Sequence, residues 1–293
     1  MSVLAFLNYL GQEKRYSVNT IAAYENDLGQ FQEFLNRQAF TWQQVKAAEI
    51  RAYIVELMDS GLSARAVQRK LSCLRSFYKF LMTSEGLKSN PVALVKGPKS
   101  AKPLPVFIPD AQMDQLLDAP DVFEPGFSGT RDKLVIELFF GTGIRLSELI
   151  HLKDVDYDVY QAQIKVLGKR NKERIIPLHK ELQTSLGNYI TLKTNMHFTN
   201  KSESLIVTDR GTDATPQFIA KIVKKYLSLV STQKKKSPHV LRHSFASSLL
   251  NRGADINAIK ELLGHASLGT TQIYTHNSVE RLKKIYKQAH PKA

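Results

Sequence analysis

Tyr24, Leu28, Phe31 and Leu35 recur at i, i+4, i+7 and i+11, which is one face of a helix, and the polar run Ser17-Val-Asn-Thr20 ahead of them suits a cap. A second helix over Ala48–Asp59 is closed by Gly61. A third, Ser63 to Met82, carries Val67, Leu71, Leu74, Tyr78 and Leu81 on one face, with Arg65, Arg69, Lys70, Arg75 and Lys79 elsewhere. Pro91, Pro98, Pro103 and Pro105 then crowd a stretch that also holds Lys88, Lys96, Lys99 and Lys102, a density of helix breakers that marks a linker. Beyond it, Asp110–Leu117 and Asp132–Phe140 read as helices, and Gly141-Thr-Gly143 breaks the chain before another helix begins at Arg145. Alternating apolar positions at Gln161–Leu167 and Glu173–Leu178, either side of Gly168-Lys-Arg-Asn171, predict a β-hairpin with a cationic tip. From Pro216 the pattern is helical again, and Pro238 occupies a first-turn position behind Ser237 as cap. The organisation expected is a helical domain over 1–95, a linker over 96–105 and a second domain over 106–293, with no internal repeat or low-complexity segment.

The chain has 293 residues, which at roughly 100–200 residues per domain agrees with two domains. Lys and Arg total 41 against 27 acidic residues, a net charge of +14 that favours a polyanionic partner over an acidic small substrate. One face of the Ser63–Met82 helix packs and another is cationic; Arg65, Arg69, Lys70, Arg75 and Lys79 are therefore either a solvated face or a surface for phosphates. Two basic lobes joined by a Lys-rich strap favour the second reading, since such a chain can close around a duplex. Cys73 is the single cysteine, so there is no internal disulfide and no Cys cluster for zinc, as expected of a reducing compartment. The first residues lack a basic leader and a small-residue cleavage site, and no apolar run approaches the roughly 20 residues needed to span a bilayer. The expectation is a cytoplasmic protein with no membrane insertion. Gly141-Thr-Gly143 lacks the third glycine of a dinucleotide loop and the Gly-Lys-Ser/Thr ending of a phosphate loop, which argues against nucleotide binding.

Candidate chemistry gathers in the second domain. Tyr274 lies nine residues after His265; a phenol with a pKa of about 10 becomes a useful nucleophile at neutral pH only with cationic neighbours or a positioned proton acceptor. His239 and Arg242, three apart on one helix, project from one face, where a nonbridging phosphate oxygen suits both. Arg145 follows the glycine turn and Lys169 tops the hairpin. Each has a plainer reading: Arg145 as a helix-start partner of Glu148, Lys169 as one more exposed lysine, either histidine as a hydrogen-bonded structural residue, Tyr274 as one of 11 tyrosines. The tail carries an apolar stripe of Val279, Leu282, Tyr286 and Ala289 that packs on its own domain or on a neighbouring subunit.

Four ordered motifs, Gly141-Thr-Gly-Ile-Arg145-Leu-Ser-Glu148-Leu, Gly168-Lys169-Arg-Asn-Lys-Glu-Arg-Ile-Ile-Pro-Leu178, Pro238-His239-Val-Leu-Arg242-His-Ser-Phe-Ala and Leu262-Leu-Gly-His265 through Tyr274-Thr-His276, resemble the tyrosine recombinase (integrase) family, most closely its bacterial Xer branch. The resemblance covers nearly the whole chain. It implies a mainly α protein: a helical core-binding (SAM-like) N-terminal domain and a mainly helical catalytic domain with a small antiparallel β-sheet. It implies that Tyr274 attacks the scissile phosphate, leaving a 3′-phosphotyrosyl bond and a free 5′-hydroxyl, while Arg145 and Arg242 clamp the nonbridging oxygens. Lys169 would protonate the leaving 5′-oxygen, and His239 and His265 would share proton transfer and a phosphate hydrogen bond in an order the sequence leaves open. Neither metal nor other cofactor is implied. The partner implied is a double-stranded DNA recombination site, held by a homo- or hetero-tetramer through exchange of C-terminal tails, with a DNA translocase of FtsK type as activator. Resolution of chromosome dimers, or integration and excision, would be the task. Arg170 departs from the glycine usual after the hairpin lysine, and Lys172, His243 and His276 match no essential role. A type IB topoisomerase and a non-enzymatic DNA-binding regulator are the competing readings.

Overall fold

The computed structural model describes residues 2–99, 106–168, 173–199, 202–264 and Tyr286. The chain divides into two compact units, Met1–Pro103 and Leu104–Ala293.

The first unit is built from α1 (Ser2–Gln12), α2 (Val18–Arg37), α3 (Ala47–Asp59) and α4 (Ala64–Ser84). Ser17 and Ser63 each accept the N–H three residues on, from Thr20 and Ala66, and so cap α2 and α4. The apolar face expected of α4 is buried at every position, Val67, Leu71, Leu74, Tyr78 and Leu81 alike. It meets a cluster of aromatic rings in which Phe6, Phe31, Trp42, Tyr53 and Phe77 lie 4.7–5.5 Å apart, centre to centre, in tilted or edge-on pairs. The segment after α4 is tied back onto that helix. Arg75 donates to the carbonyls of Val92 (3.4 Å) and Val95 (2.8 Å), Asn90 donates to the carbonyl of Arg75, and Gln68 reaches the carbonyl of Pro98 at 2.7 Å. The proline-rich stretch up to Pro98 therefore packs with the first unit.

The second unit holds α5 (Asp110–Asp118), α6 (Phe127–Thr142), α7 (Leu146–His151), β1 (Tyr157–Asp158), β2 (Gln163–Leu167), β3 (Glu173–Pro177), α8 (Lys180–Asn195), α9 (Pro216–Val230), α10 (Pro238–Asn251) and α11 (Ile256–Leu262). Helix α6 runs through its centre: Leu134, Val135, Ile136, Leu138, Phe139 and Phe140 point in all directions and are all buried, as an apolar helix without a stripe requires. Helices α8, α9 and α10 pack around it. The strands form an antiparallel sheet in the order β1-β2-β3, with Lys165 opposite Ile175 and Leu167 opposite Glu173. The expected hairpin is present, and β1 joins it as a two-residue third strand. Its tip, residues 169–172, lies outside the described residues. The fold is mainly α, with a helical first unit and a small antiparallel sheet in the second. Among the described residues no helix is long and apolar enough to cross a membrane.

Candidate active site

The glycine turn sets the site. Gly143 ends α6 in the left-handed region (φ 61°), its N–H reaching the carbonyl of Phe139 at 3.0 Å. A Cβ there would lie 2.4 Å from Phe245 and 2.8 Å from Leu263, so both conformation and space demand glycine. Thr142 accepts the N–H of Ile144, and the chain turns directly into α7 with Arg145 at its N-cap.

Arg145 donates from its backbone N–H to Glu148 Oε2 (2.7 Å) and from Nη1 to Glu148 Oε1 (2.7 Å), while Nη2 reaches the carbonyl of Gly264 at 2.9 Å. The helix-start pairing with Glu148 is thus real, and among the described residues it and Gly264 occupy two of the five guanidinium N–H groups. With its side chain 34% exposed, Arg145 keeps a face toward solvent. Arg242 projects from α10 and is 6% exposed; Nη1 donates to the carbonyl of Gly143 and Nη2 to that of Leu263 at 2.6 Å. His239, one turn earlier on α10, is exposed behind Pro238. Ser237 precedes that proline as expected but makes no side-chain cap bond.

A third arginine completes the cluster. Arg174, on β3, is 4% exposed and grips Glu148 with both arms of its fork, Nη1 to Oε1 at 2.6 Å and Nη2 to Oε2 at 2.8 Å, while Nε donates to the carbonyl of Leu262 at 2.9 Å. Three successive carbonyls at the end of α11, those of Leu262, Leu263 and Gly264, thereby receive Arg174, Arg242 and Arg145 in turn. Gly264 (φ 62°) makes room for this, since a Cβ there would lie 3.1 Å from the Arg174 side chain.

Burial alone would raise the Glu148 carboxyl, but the bonds from Arg174 and Arg145 overcome it and hold the group at about 2. For Arg242, burial first and then the like charges of Arg145 and Arg174 push the guanidinium down to about 10, against the pull of Glu148. Three guanidinium groups around one carboxylate leave a net positive pocket, which suits an oxyanion whose charge grows in a transition state. Among the described residues no group of His, Cys, Asp and Glu is placed to hold a metal ion.

The structure brings Arg145 and Arg242 together and places His239 on the helix that carries Arg242. Lys169, His265 and Tyr274 lie outside the described residues. Sequence reasoning missed Arg174 and gave Glu148 no role beyond pairing. The available signal was register: Arg174 alternates with Ile176 on the inward face of β3, where a charge needs a partner.

The basic residues of α4 do not form one stripe. Arg65, Arg69 and Lys79 are exposed, and Arg69 pairs with Asp27. Lys70, contrary to the expectation of a phosphate contact, is 4% exposed, with its ammonium 2.8 Å from the buried Asp27 carboxylate, because it sits on the packed side of the helix. Arg75 is likewise half-buried, its donors spent on Val92 and Val95. In the tail, Tyr286 is buried among Phe245, Leu249, Ala258, Ile259, Leu262 and Leu263 of its own unit, its hydroxyl donating to the carbonyl of Gly141 at 2.7 Å. The rest of the tail stripe lies outside the described residues.

Two family descriptions match the chain: the phage integrase family over residues 107–281, and the phage integrase N-terminal SAM-like domain over residues 3–85. Proteins named tyrosine recombinase XerC are similar throughout. That of Listeria welshimeri is 41% identical over 292 residues, covering 98% of this chain and 97% of its own, and that of Thermodesulfovibrio yellowstonii is 39% identical over 290 residues, covering 98% and 95%. Among solved structures, the XerH site-specific recombinase bound to a palindromic difH substrate superimposes with a TM-score of 0.73 at 23% identity, over 97% of this chain and 87% of that one. The Tn1549 transposon integrase in complex with transposon right end DNA gives 0.72 at 18%, over 97% and 99%. These two likenesses concern the fold. By family match and by full-length similarity together, the chain belongs to the phage integrase family, as a tyrosine recombinase of the Xer kind.

Proposed function

We propose that this recombinase cuts and rejoins DNA at a specific site through Tyr274, with Arg145 and Arg242 as the phosphate clamp. The observation that carries the reading is the meeting of Arg145 and Arg242, from α7 and α10, over consecutive carbonyls of one helix end. In the first step the Tyr274 oxygen bonds to phosphorus and the 5′-oxygen leaves. The phenolic proton passes to a histidine, His239 or His265, and Lys169 supplies the proton that turns the leaving oxygen into a hydroxyl. The two guanidinium forks hold the nonbridging oxygens, whose charge rises toward the pentacoordinate state; a donor of this kind is worth about 10²–10³ in rate. Because the phosphotyrosine ester conserves the energy of the broken bond, a 5′-hydroxyl from a second duplex reverses the step and joins new strands without ATP.

The first unit carries exposed cations of its own, Arg65, Arg69 and Lys79, which suit contacts with DNA phosphates. Similarity to proteins named XerC supports resolution of chromosome dimers as the task; a cytoplasmic tetramer on DNA, joined through tail residues other than the buried Tyr286 and activated by a translocase of FtsK type, belongs to the same proposal. The test is a duplex nicked beside the cleavage site, from which the cut fragment diffuses away. Wild type accumulates a covalent protein–DNA adduct, and Tyr274→Phe binds the same duplex and forms none. Binding by active wild type on a verified site with no adduct would refute the reading, and relaxation of supercoils without exchange would move it to a topoisomerase.

A further inference from the structure

We infer that Arg174 is a positioning residue for strand cleavage, acting through Glu148 and the end of α11 on both phosphate-clamping arginines; this rests on the clamp reading above. Glu148 has about four lone-pair sites to offer as a carboxylate. All are engaged: Oε1 by Arg145 Nη1 and Arg174 Nη1, Oε2 by the Arg145 backbone N–H and Arg174 Nη2, at 2.6–2.8 Å. The carboxylate therefore has one orientation, and half of what fixes it comes from Arg174. The remaining donor used by Arg174, Nε, fixes the Leu262 carbonyl. The next two carbonyls hold Arg242 and Arg145, and the next residue in sequence is His265.

One buried side chain on β3 thus sets the acceptors of both clamps from a position that is 4% exposed. Stability gives little reason for the arrangement, since an apolar pair of similar volume commonly serves a core as well as a buried ion pair. The forked geometry gives a better one. Three fixed donor directions reach Glu148 and Leu262 at once, and a lysine supplies the charge without those directions. Without Arg174, Glu148 is held by Arg145 alone, the Leu262 carbonyl is released, and both clamps lose their register.

The test uses full-length protein at saturating nicked duplex, with adduct formation followed in a single turnover. The scissile position carries either phosphate or a methylphosphonate, whose missing charge lowers the demand on the clamp. Arg174→Lys is expected to bind DNA as wild type does and to form adduct on phosphate about 10²-fold more slowly, the usual cost of a misplacement near 1 Å. On methylphosphonate its deficit relative to wild type should shrink by about 10-fold. The ratio of the two substrates within one preparation cancels any loss of folded protein. If Arg174→Lys does not fold, the paired change Glu148→Leu with Arg174→Met removes both charges and serves the same comparison. Arg145→Ala is the control: wild-type cleavage by that variant defeats the clamp reading itself. With the control slow on phosphate, wild-type rates for the Arg174 variant, or an equal deficit on both substrates, would overturn the role of Arg174.

Discussion

Replacing Glu148 by glutamine preserves the shape of the side chain and removes one charge from among three guanidinium groups. The carboxyl falls from an ordinary 4.5 to about 2 in the folded protein, which corresponds to about 3 kcal/mol of stability at neutral pH. Because the folded value lies below the unfolded one, that contribution is complete above about pH 5 and drains away as pH falls toward 2. About 2 of the 3 kcal/mol is gone by pH 3. Glutamine forfeits it at every pH and also leaves Arg174 buried without its anion; breaking a buried pair in this way costs roughly 3–5 kcal/mol. Each kcal/mol moves the melting temperature of a unit this size by about 2–4 °C, so the catalytic transition should fall by roughly 6–20 °C at pH 7. Scanning calorimetry of the full chain at pH 7, 5, 4 and 3 reads the effect. The gap between wild type and Glu148→Gln should narrow steadily below pH 5. A gap that is absent at pH 7, or constant across the series, would show that the carboxylate does not carry the cluster.

The glycine turn and the basic surface give two further expectations. Gly143→Ala must adopt φ 61° and press on Phe245 and Leu263, a cost of about 2–5 kcal/mol from left-handed backbone and overpacking. Thermal unfolding should register that cost, and adduct formation should fall with it because the acceptor of Arg242 moves. Neutralising Arg65 and Lys79 together should lower the salt slope of DNA binding by about 1.8. Lys70→Met should leave the slope unchanged, since that ammonium already serves Asp27; an equal change in both would place Lys70 at the phosphates.

Much of this was written in the periodicity. The α4 face from Val67 to Leu81, the cap at Ser17, the hairpin around Gly168 and the helix behind Pro238 all follow from local spacing, because each is decided by contacts close in sequence. The two-residue β1 is too short to show alternation. Lys70 reads as surface charge because a helical wheel cannot announce that Asp27, 43 residues earlier, waits inside the first unit. The pairing of Arg145 with Glu148 was legible at i, i+3, whereas the third arm of that network comes from strand β3. A partner held by tertiary placement leaves no spacing to read, and only the inward register of Arg174 betrays it.

The acceptors of the arginine cluster at the end of α11 are main-chain atoms, and main-chain atoms do not mutate. Leu262 and Leu263 are free to drift among apolar residues so long as the helix end keeps its course, while a lysine at any of the three donor positions would lack the planar fork that reaches these carbonyls. An insertion or deletion of one residue between Ile259 and Leu262 would act differently from any substitution, since it shifts all three oxygens against all three guanidinium groups in a single event. Loss of activity in distant homologues should therefore follow gaps in this segment more closely than changes of its letters.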